Sequence, residues 1–160
     1  MKELLSLLVR VSASLNELVP ISHNEYQKLV FNMQKNTPYQ EEVRREYLKK
    51  TEKYIEEIAY IRALKAIKGY AIPENSFDKE LLLAIQAILK IYIAIMSGKI
   101  LLNKEGKTIV RIKKDVIVDK EIIGNEKVPT KLHAGDIVII SIEKAIPLYL
   151  LGIISFESNT

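Results

Sequence analysis

The hydrophobic period of this chain changes near residue 100. Before that point apolar residues recur at steps of three and four, the spacing of an amphipathic helix. After it, Ile and Val alternate with Lys and Asp, and glycines return, which is strand and turn patterning. With 160 residues there is room for one domain, or one domain with a small appendage. The pattern predicts an α+β fold: an N-terminal bundle of about four helices over residues 1–102, a linker over 103–108, and a small β-rich domain over 109–160.

Within the first part, Leu4, Leu8, Val11, Leu15 and Leu18 place a first helix over Lys2 to Leu18. The Leu-Val-Pro-Ile turn follows, and then SHNE, a capping box from Ser22 to Glu25 that opens a second helix through about Lys35. His23 is expected in its exposed first turn. Thr37, Pro38 and Gln40 read as the start of a long third helix from Pro38 to Lys68, with Gly69 just past its end. Its stripe is Val43, Tyr47, Tyr54, Ile58 and Ile61, widened by Leu48, Ile55, Ala59 and Ala66. Mixed charges cover the opposite face and suit i,i+4 pairing. Asn75 or Ser76 is the expected cap of a fourth helix, with Asp78 and Glu80 in its first turn, where the helix dipole favours acids.

The body of that fourth helix, LLLAIQAILKIYIAIM from Leu81 to Met96, is interrupted only by Gln86 and Lys90. It is shorter than the roughly 20 apolar residues of a membrane span and carries a lysine near its middle, so no membrane span is expected. A helix apolar on nearly every face needs cover on nearly every face. One small bundle hardly supplies that much, and the surplus points to a subunit interface. The candidates are Leu81, Leu82, Ile85, Ile88, Leu89 and Tyr92, with Ile58 and Ile61 from the third helix. ILLNKEGKT, from Ile100 to Thr108, reads as the end of the fourth helix and then a short linker; Gly98 either ends the helix early or is carried within it.

In the last part KTIVRIKK alternates, DVIVDKEII is a second strand-like stretch, GNEK a turn and KVPTKL a third, irregular piece. GDIVII predicts a strand buried from Ile137 to Ile140, entered through a Gly135-Asp136 turn. SIEKAIPLYLLG is a short helix capped by Ser141 and stopped by Gly152. Pro147 inside it removes a backbone donor, which favours a kink or two shorter turns. IISF closes the chain as a last strand. So small a β region makes a marginal core on its own.

Composition removes several kinds of chemistry. There is no cysteine, so disulfides, thiol nucleophiles and Cys-ligated zinc are out together. The two histidines, His23 and His133, lie far apart, so no metal site and no cofactor are expected. No Walker loop, dinucleotide fingerprint, nucleophile elbow or zinc-protease motif is present. His133 has no visible base or nucleophile to partner it. No secretion signal is read at the N-terminus, where Glu3 and Arg10 interrupt the apolar run. The net charge of +4 permits weak contact with DNA without predicting a dedicated binder. The alternative functional reading is nonetheless a small basic nucleic-acid binding module, with Lys113 and Lys114 on a phosphate-contacting edge.

The order of motifs resembles the GINS family, the replication complex that joins the MCM helicase in archaea and eukaryotes. The C-terminal motifs carry the likeness. They are Val110 and Arg111, Lys114 and Asp115, Gly135 and Asp136, the apolar strand Ile137 to Ile139, Ser141 as cap, Ala145 and the closing Gly152. LVPISHNEY and YIRALKAI are similar to the family's Leu-Pro turn and basic helix end. Helices first and β domain last match the class that archaea represent with a single gene. The resemblance implies a non-catalytic scaffold subunit without cofactors. It implies a tetramer through the helices, with a permuted GINS subunit or with itself. It implies a small β domain on a flexible linker that contacts MCM and a RecJ-like replisome protein, in the cytoplasm at the nucleoid and replication fork. The β-domain docking candidates are then Arg111, Lys113, Lys114, Asp115, Gly135, Asp136 and Gly152.

Overall fold

The computed structural model describes residues 2–117 and 131–157. The expected GNEK turn, most of DVIVDKEII and Pro129 lie outside them. The α+β fold is as the sequence predicts, with the helices first and an antiparallel sheet region last. The chain divides into two compact units, Met1–Gln86 and Ala87–Thr160. The division falls inside the fourth helix, whereas the sequence pattern placed it after residue 102.

In the first unit, α1 spans Lys2–Ala13 and buries Leu4, Leu7 and Val11. It stops short of the expected Leu18, and Leu15 is 79% exposed. The reason is local. Ser12, Ser14 and Asn16 are weak helix formers, and the Ser14 hydroxyl donates to the Glu17 carbonyl instead. Helix α2, His23–Lys35, starts as expected: the Ser22 hydroxyl accepts from the Glu25 N–H at 3.2 Å. Thr37 behaves differently from expectation. Its hydroxyl donates back to the Met33 carbonyl at 2.8 Å, closing α2, and α3 begins only at Glu41 behind an uncapped Gln40.

Helix α3, Glu41–Ile67, is half covered. Its C-terminal half buries Ile58 and Ala66, while Val43 and Leu48 stay exposed. One core gathers Leu4, Leu7, Val11, Ile21 and Ile58, with Leu29, Met33, Tyr54 and Ile61 packed around them. A second gathers Leu18, Ala66 and Leu82, with Tyr70, Ile72 and Ile85. Helix α4 spans Lys79–Met96. Neither Asn75 nor Ser76 opens it: the Asp78 carbonyl accepts its first helical bond, from the Leu82 N–H at 3.0 Å. At its end, the N–H groups of Gly98 and Lys99 fold back onto the carbonyls of Ile95 and Ala94. That closure needs a left-handed residue, and Gly98 has φ +73°. Gly98 therefore ends the helix, and Ile100 to Leu102 are not part of it.

In the second unit the expected linker is an ordered turn. The Asn103 carboxamide oxygen accepts from the N–H groups of Glu105 and Lys107, each at 2.9 Å. Strand β1 starts inside the former linker and spans Lys107–Ile112. Strands β2, Val116–Ile117, and β3, Lys131–Leu132, pair with each other. Strand β4 spans Ile137–Ser141, helix α5 spans Ile142–Leu150 and strand β5 spans Ile154–Phe156. The three-stranded sheet runs β4-β1-β5, antiparallel throughout. Val110, Ile112, Ile140 and Ile154 point to one face and pack with Leu132 and with Ala145 of α5.

Strand β4 is buried on that face alone, which corrects the expectation of a strand buried throughout. Ile140 is 2% exposed, whereas Ile137 and Ile139 are 58% and 57% exposed. Helix α5 covers one side of the sheet, so alternate side chains of IVII reach solvent. Ser141 holds the N-cap position with an extended backbone but makes no capping bond. Helix α5 also remains one helix through Pro147. Pro147 and Glu143 are both exposed, so the missing backbone donor falls on the solvent side of the helix, where its loss costs least.

Candidate interaction surfaces

Five residues of the first unit, Val19, Ile21, Arg62, Ser76 and Asp78, form a hydrogen-bond network just ahead of α4. The Arg62 guanidinium, 2% exposed, grips Asp78 with two parallel bonds of 2.7 Å, from Nε to Oδ2 and from Nη2 to Oδ1. Its Nη2 also reaches the Ser76 hydroxyl at 2.8 Å, and its Nη1 reaches the Val19 carbonyl. Ser76 in turn donates to Asp78 at 2.7 Å and accepts from the Ile21 N–H at 3.3 Å. Burial alone would raise the Asp78 carboxyl, but the bonds from Arg62 and Ser76 outweigh it and hold the group below the ordinary carboxylate range. A planar fork matched to a carboxylate is the strongest form of such a pair.

One turn along α3, Lys65 is also buried. Its ammonium donates to the carbonyls of Val11 and Ser14 and so closes the C-terminal end of α1. The likeness of YIRALKAI to a basic helix end implies neither role. The signal was present. Arg62 stands midway between Ile58 and Ala66 at i,i+4 steps, on the buried stripe itself.

Beside this network lies an apolar cleft of about 210 Å³, lined by residues that include Leu29, Met33, Ile58 and Leu81. The rings of Tyr26 and Phe77 also line it, stacked with centroids 4.3 Å apart.

The candidate subunit-interface residues do not share one fate. Ile58 and Leu82 are 7% and 3% exposed within the chain itself, so they have no free surface to give a second subunit. Ile61, Ile85 and Leu89 are half-buried. Leu81, Ile88 and Tyr92 are exposed, and steps of seven and four residues set them on one stripe of α4. Met96 extends that stripe and is 70% exposed.

The β-domain candidates are brought together more tightly than their sequence spread implies. Strand β1 ends where β4 and β5 begin, so Lys113, Lys114, Asp115, Gly135, Asp136 and Gly152 all lie at one end of the sheet. The Lys113 N–H donates to the Ile153 carbonyl at 2.7 Å, next to Gly152. Arg111 sits one step back on the exposed face, paired with Glu157 at 2.6 Å. His133 does have a carboxylate partner, contrary to the sequence reading: its Nδ1 is 3.3 Å from Asp115 Oδ2.

Both aspartates at this end work as turn locks. Asp115 Oδ1 accepts from the Ala134 N–H, and Asp136 Oδ2 accepts from the His133 N–H, each at 2.8 Å. The Ala134 bond, then His133, holds the Asp115 carboxyl below its ordinary value. The pair is exposed on both sides, so its charge is screened by water.

Gly135 has φ +100°, and its N–H donates to the Ile112 carbonyl at 2.8 Å. A Cβ there would meet nothing within 4 Å, so substitution strains the backbone alone. Gly135→Val is expected to lower the stability of the C-terminal unit by about 1–3 kcal/mol. A urea titration followed by amide exchange in β1 and β4 reads this directly; wild-type stability would show that the turn tolerates a side chain.

Among the described residues, no group of three or more His, Asp or Glu side chains could hold a metal ion, and no helix is long and apolar enough to cross a membrane. No protein-family model matches the chain, and no curated protein matches it.

Proposed function

We propose that this chain is a non-catalytic scaffold subunit of a GINS-type complex, assembling through its helices and docking replisome proteins through its β unit. The observation that carries the reading is the uncovered stripe of α4. Leu81, Tyr92 and Met96 are 63%, 59% and 70% exposed on one line of an 18-residue helix. An apolar line of that length marks a protein-binding face. The motif order Val110-Arg111, Gly135-Asp136 and Gly152 supports the family, and its gathering at one end of a sheet supports a docking role for that unit.

The test is mass in solution. Size-exclusion chromatography with light scattering should give a tetramer, either alone or after co-expression with a permuted GINS subunit. The double variant Ile88→Lys and Tyr92→Lys is expected to weaken assembly by about 2 kcal/mol or more per site. Because both side chains are exposed in the chain, its melting temperature should stay near wild type at low protein concentration. A monomer under both conditions removes the scaffold reading.

One observation favours a second reading, a nucleic-acid module. The described residues of the C-terminal unit carry nine Lys and Arg against five Asp and Glu, and Lys113 and Lys114 are exposed. Filter binding that is strong and falls steeply with salt would favour it. No binding at about 0.1 M salt would remove it.

A further inference from the structure

We propose that the open edge of β4 is a strand-addition site for an extended acidic segment of a partner protein. The proposal rests on the scaffold reading only in taking the C-terminal unit as the docking unit.

Strand β4 is an edge: β1 pairs with one side of it, and no described residue pairs with the other. The Ile112 N–H donates to the Asp136 carbonyl at 2.9 Å, and the Ile142 N–H to the Gly106 carbonyl at 3.0 Å. In an antiparallel ladder such bonds fall on alternate residues, so the even-numbered positions of this strand face β1. The N–H and C=O groups of Ile137 and Ile139 therefore face outward. Edge strands are normally guarded by lysine, proline, an inward charge or a bulge. From Ile137 to Ile140 the strand reads IVII and carries none of these. An unguarded apolar edge is a template for another strand.

The outer face of the sheet says what such a strand carries. Ile109 pairs with Ile139, and Arg111 with Ile137, so three exposed isoleucines form one apolar patch bordered by Arg111. An added strand would lay alternate apolar side chains beside Ile137 and Ile139. At the Ile137 end stand Lys113 and Lys114, exposed and without a carboxylate partner among the described residues. The carboxylates nearby, Asp115 and Asp136, already accept backbone N–H groups. Arg111 holds Glu157 in an exposed pair, which is weak enough to exchange. A second copy of the chain would instead bring two positively charged units together. Charge complementarity thus selects an acidic strand with alternating apolar residues.

The test uses the full chain and a capped peptide of about seven residues alternating glutamate with valine, the length of an ordinary strand. The amides of Ile137 and Ile139 should exchange fast in the free chain and slow at least tenfold with peptide, while those of Val138 and Ile140 are slow throughout. Ile139→Lys, which guards the edge, should weaken peptide binding at least tenfold with an unchanged melting curve. Ile139→Pro should do the same, because the N–H it removes faces away from β1 and has no partner among the described strands. Slow exchange of both isoleucine amides without peptide would overturn the proposal. So would equal binding of a lysine–valine peptide, or a concentration-dependent dimer that Ile139→Lys dissolves. A chain that is monomeric in light scattering yet binds the acidic peptide would retire the tetramer and keep this site.

Discussion

Replacing Arg62 by methionine is expected to destabilise the helical unit by about 3–5 kcal/mol, the cost of leaving a buried charge without its partner. Methionine fills a similar length of apolar space, so the loss is electrostatic and not a cavity. Three acceptors lose the guanidinium at once: the Asp78 carboxylate, which keeps only Ser76 as a side-chain donor, the Val19 carbonyl, and the Ser76 hydroxyl, which keeps the Ile21 N–H. Asp78 then keeps the burial that raises its carboxyl and loses the main group that lowers it.

The pH dependence follows with a definite sign. In the wild type the folded carboxyl lies below its unfolded value of about 3.9, so its contribution is complete above that pH and is lost as pH falls through the folded value. In Arg62→Met the carboxyl rises from its wild-type position, because burial still raises it and only Ser76 and the backbone still lower it. The deficit relative to wild type should therefore shrink on acidification, as Asp78 takes up a proton. Urea titrations at pH 7 and near pH 4 measure both effects. The pair Arg62→Met with Asp78→Leu should recover most of the stability, since an apolar replacement of a buried ion pair is often neutral or better. A double variant no better than the single one would show that the network is needed for the shape of the α3–α4 junction, not for charge balance.

Ile140→Ala is expected to cost the C-terminal unit about 2–5 kcal/mol, while Ile139→Ala one residue earlier changes stability by about 0.5 kcal/mol or less. The two residues are chemically identical and adjacent. Ile140 is 2% exposed and packs with Val110, Ile112, Leu132, Ala145 and Ile154, a core small enough that one cavity removes much of it. Ile139 is 57% exposed and reaches solvent on the other face of the sheet. Thermal melts, with amide exchange to locate the loss, should separate the two variants clearly. Equal losses would mean that the outer face of the sheet is covered after all.

These variants also mark where sequence reading succeeds. The Ser22 cap and the period-2 pattern of β1 depend on residues at most a few positions apart, and both are legible in the sequence, whereas the closing turn at Gly98 is only one of two alternatives that the sequence leaves open. Leucine spacing alone overextends α1, because the leucines of its tail keep helical spacing while Ser12, Ser14 and Asn16 weaken the backbone beneath them. The docking candidates were scattered over 42 positions from Arg111 to Gly152, and only the antiparallel pairing brings them to one end of a sheet.

By itself the sequence determined the order and kind of the elements, because hydrophobic period, caps and turn residues act over one or two helical turns or one strand. The sequence sets Arg62 on an apolar stripe, but tertiary structure decided what satisfies it there and which apolar side chains are left bare. Arg62 turns inward because Asp78, Ser76 and the Val19 carbonyl converge on it from 14 or more residues away. Ile137 and Ile139 face water because α5 covers only one side of a three-stranded sheet. Burial belongs to what packs against a residue, and for these side chains the packing partners come from distant parts of the chain.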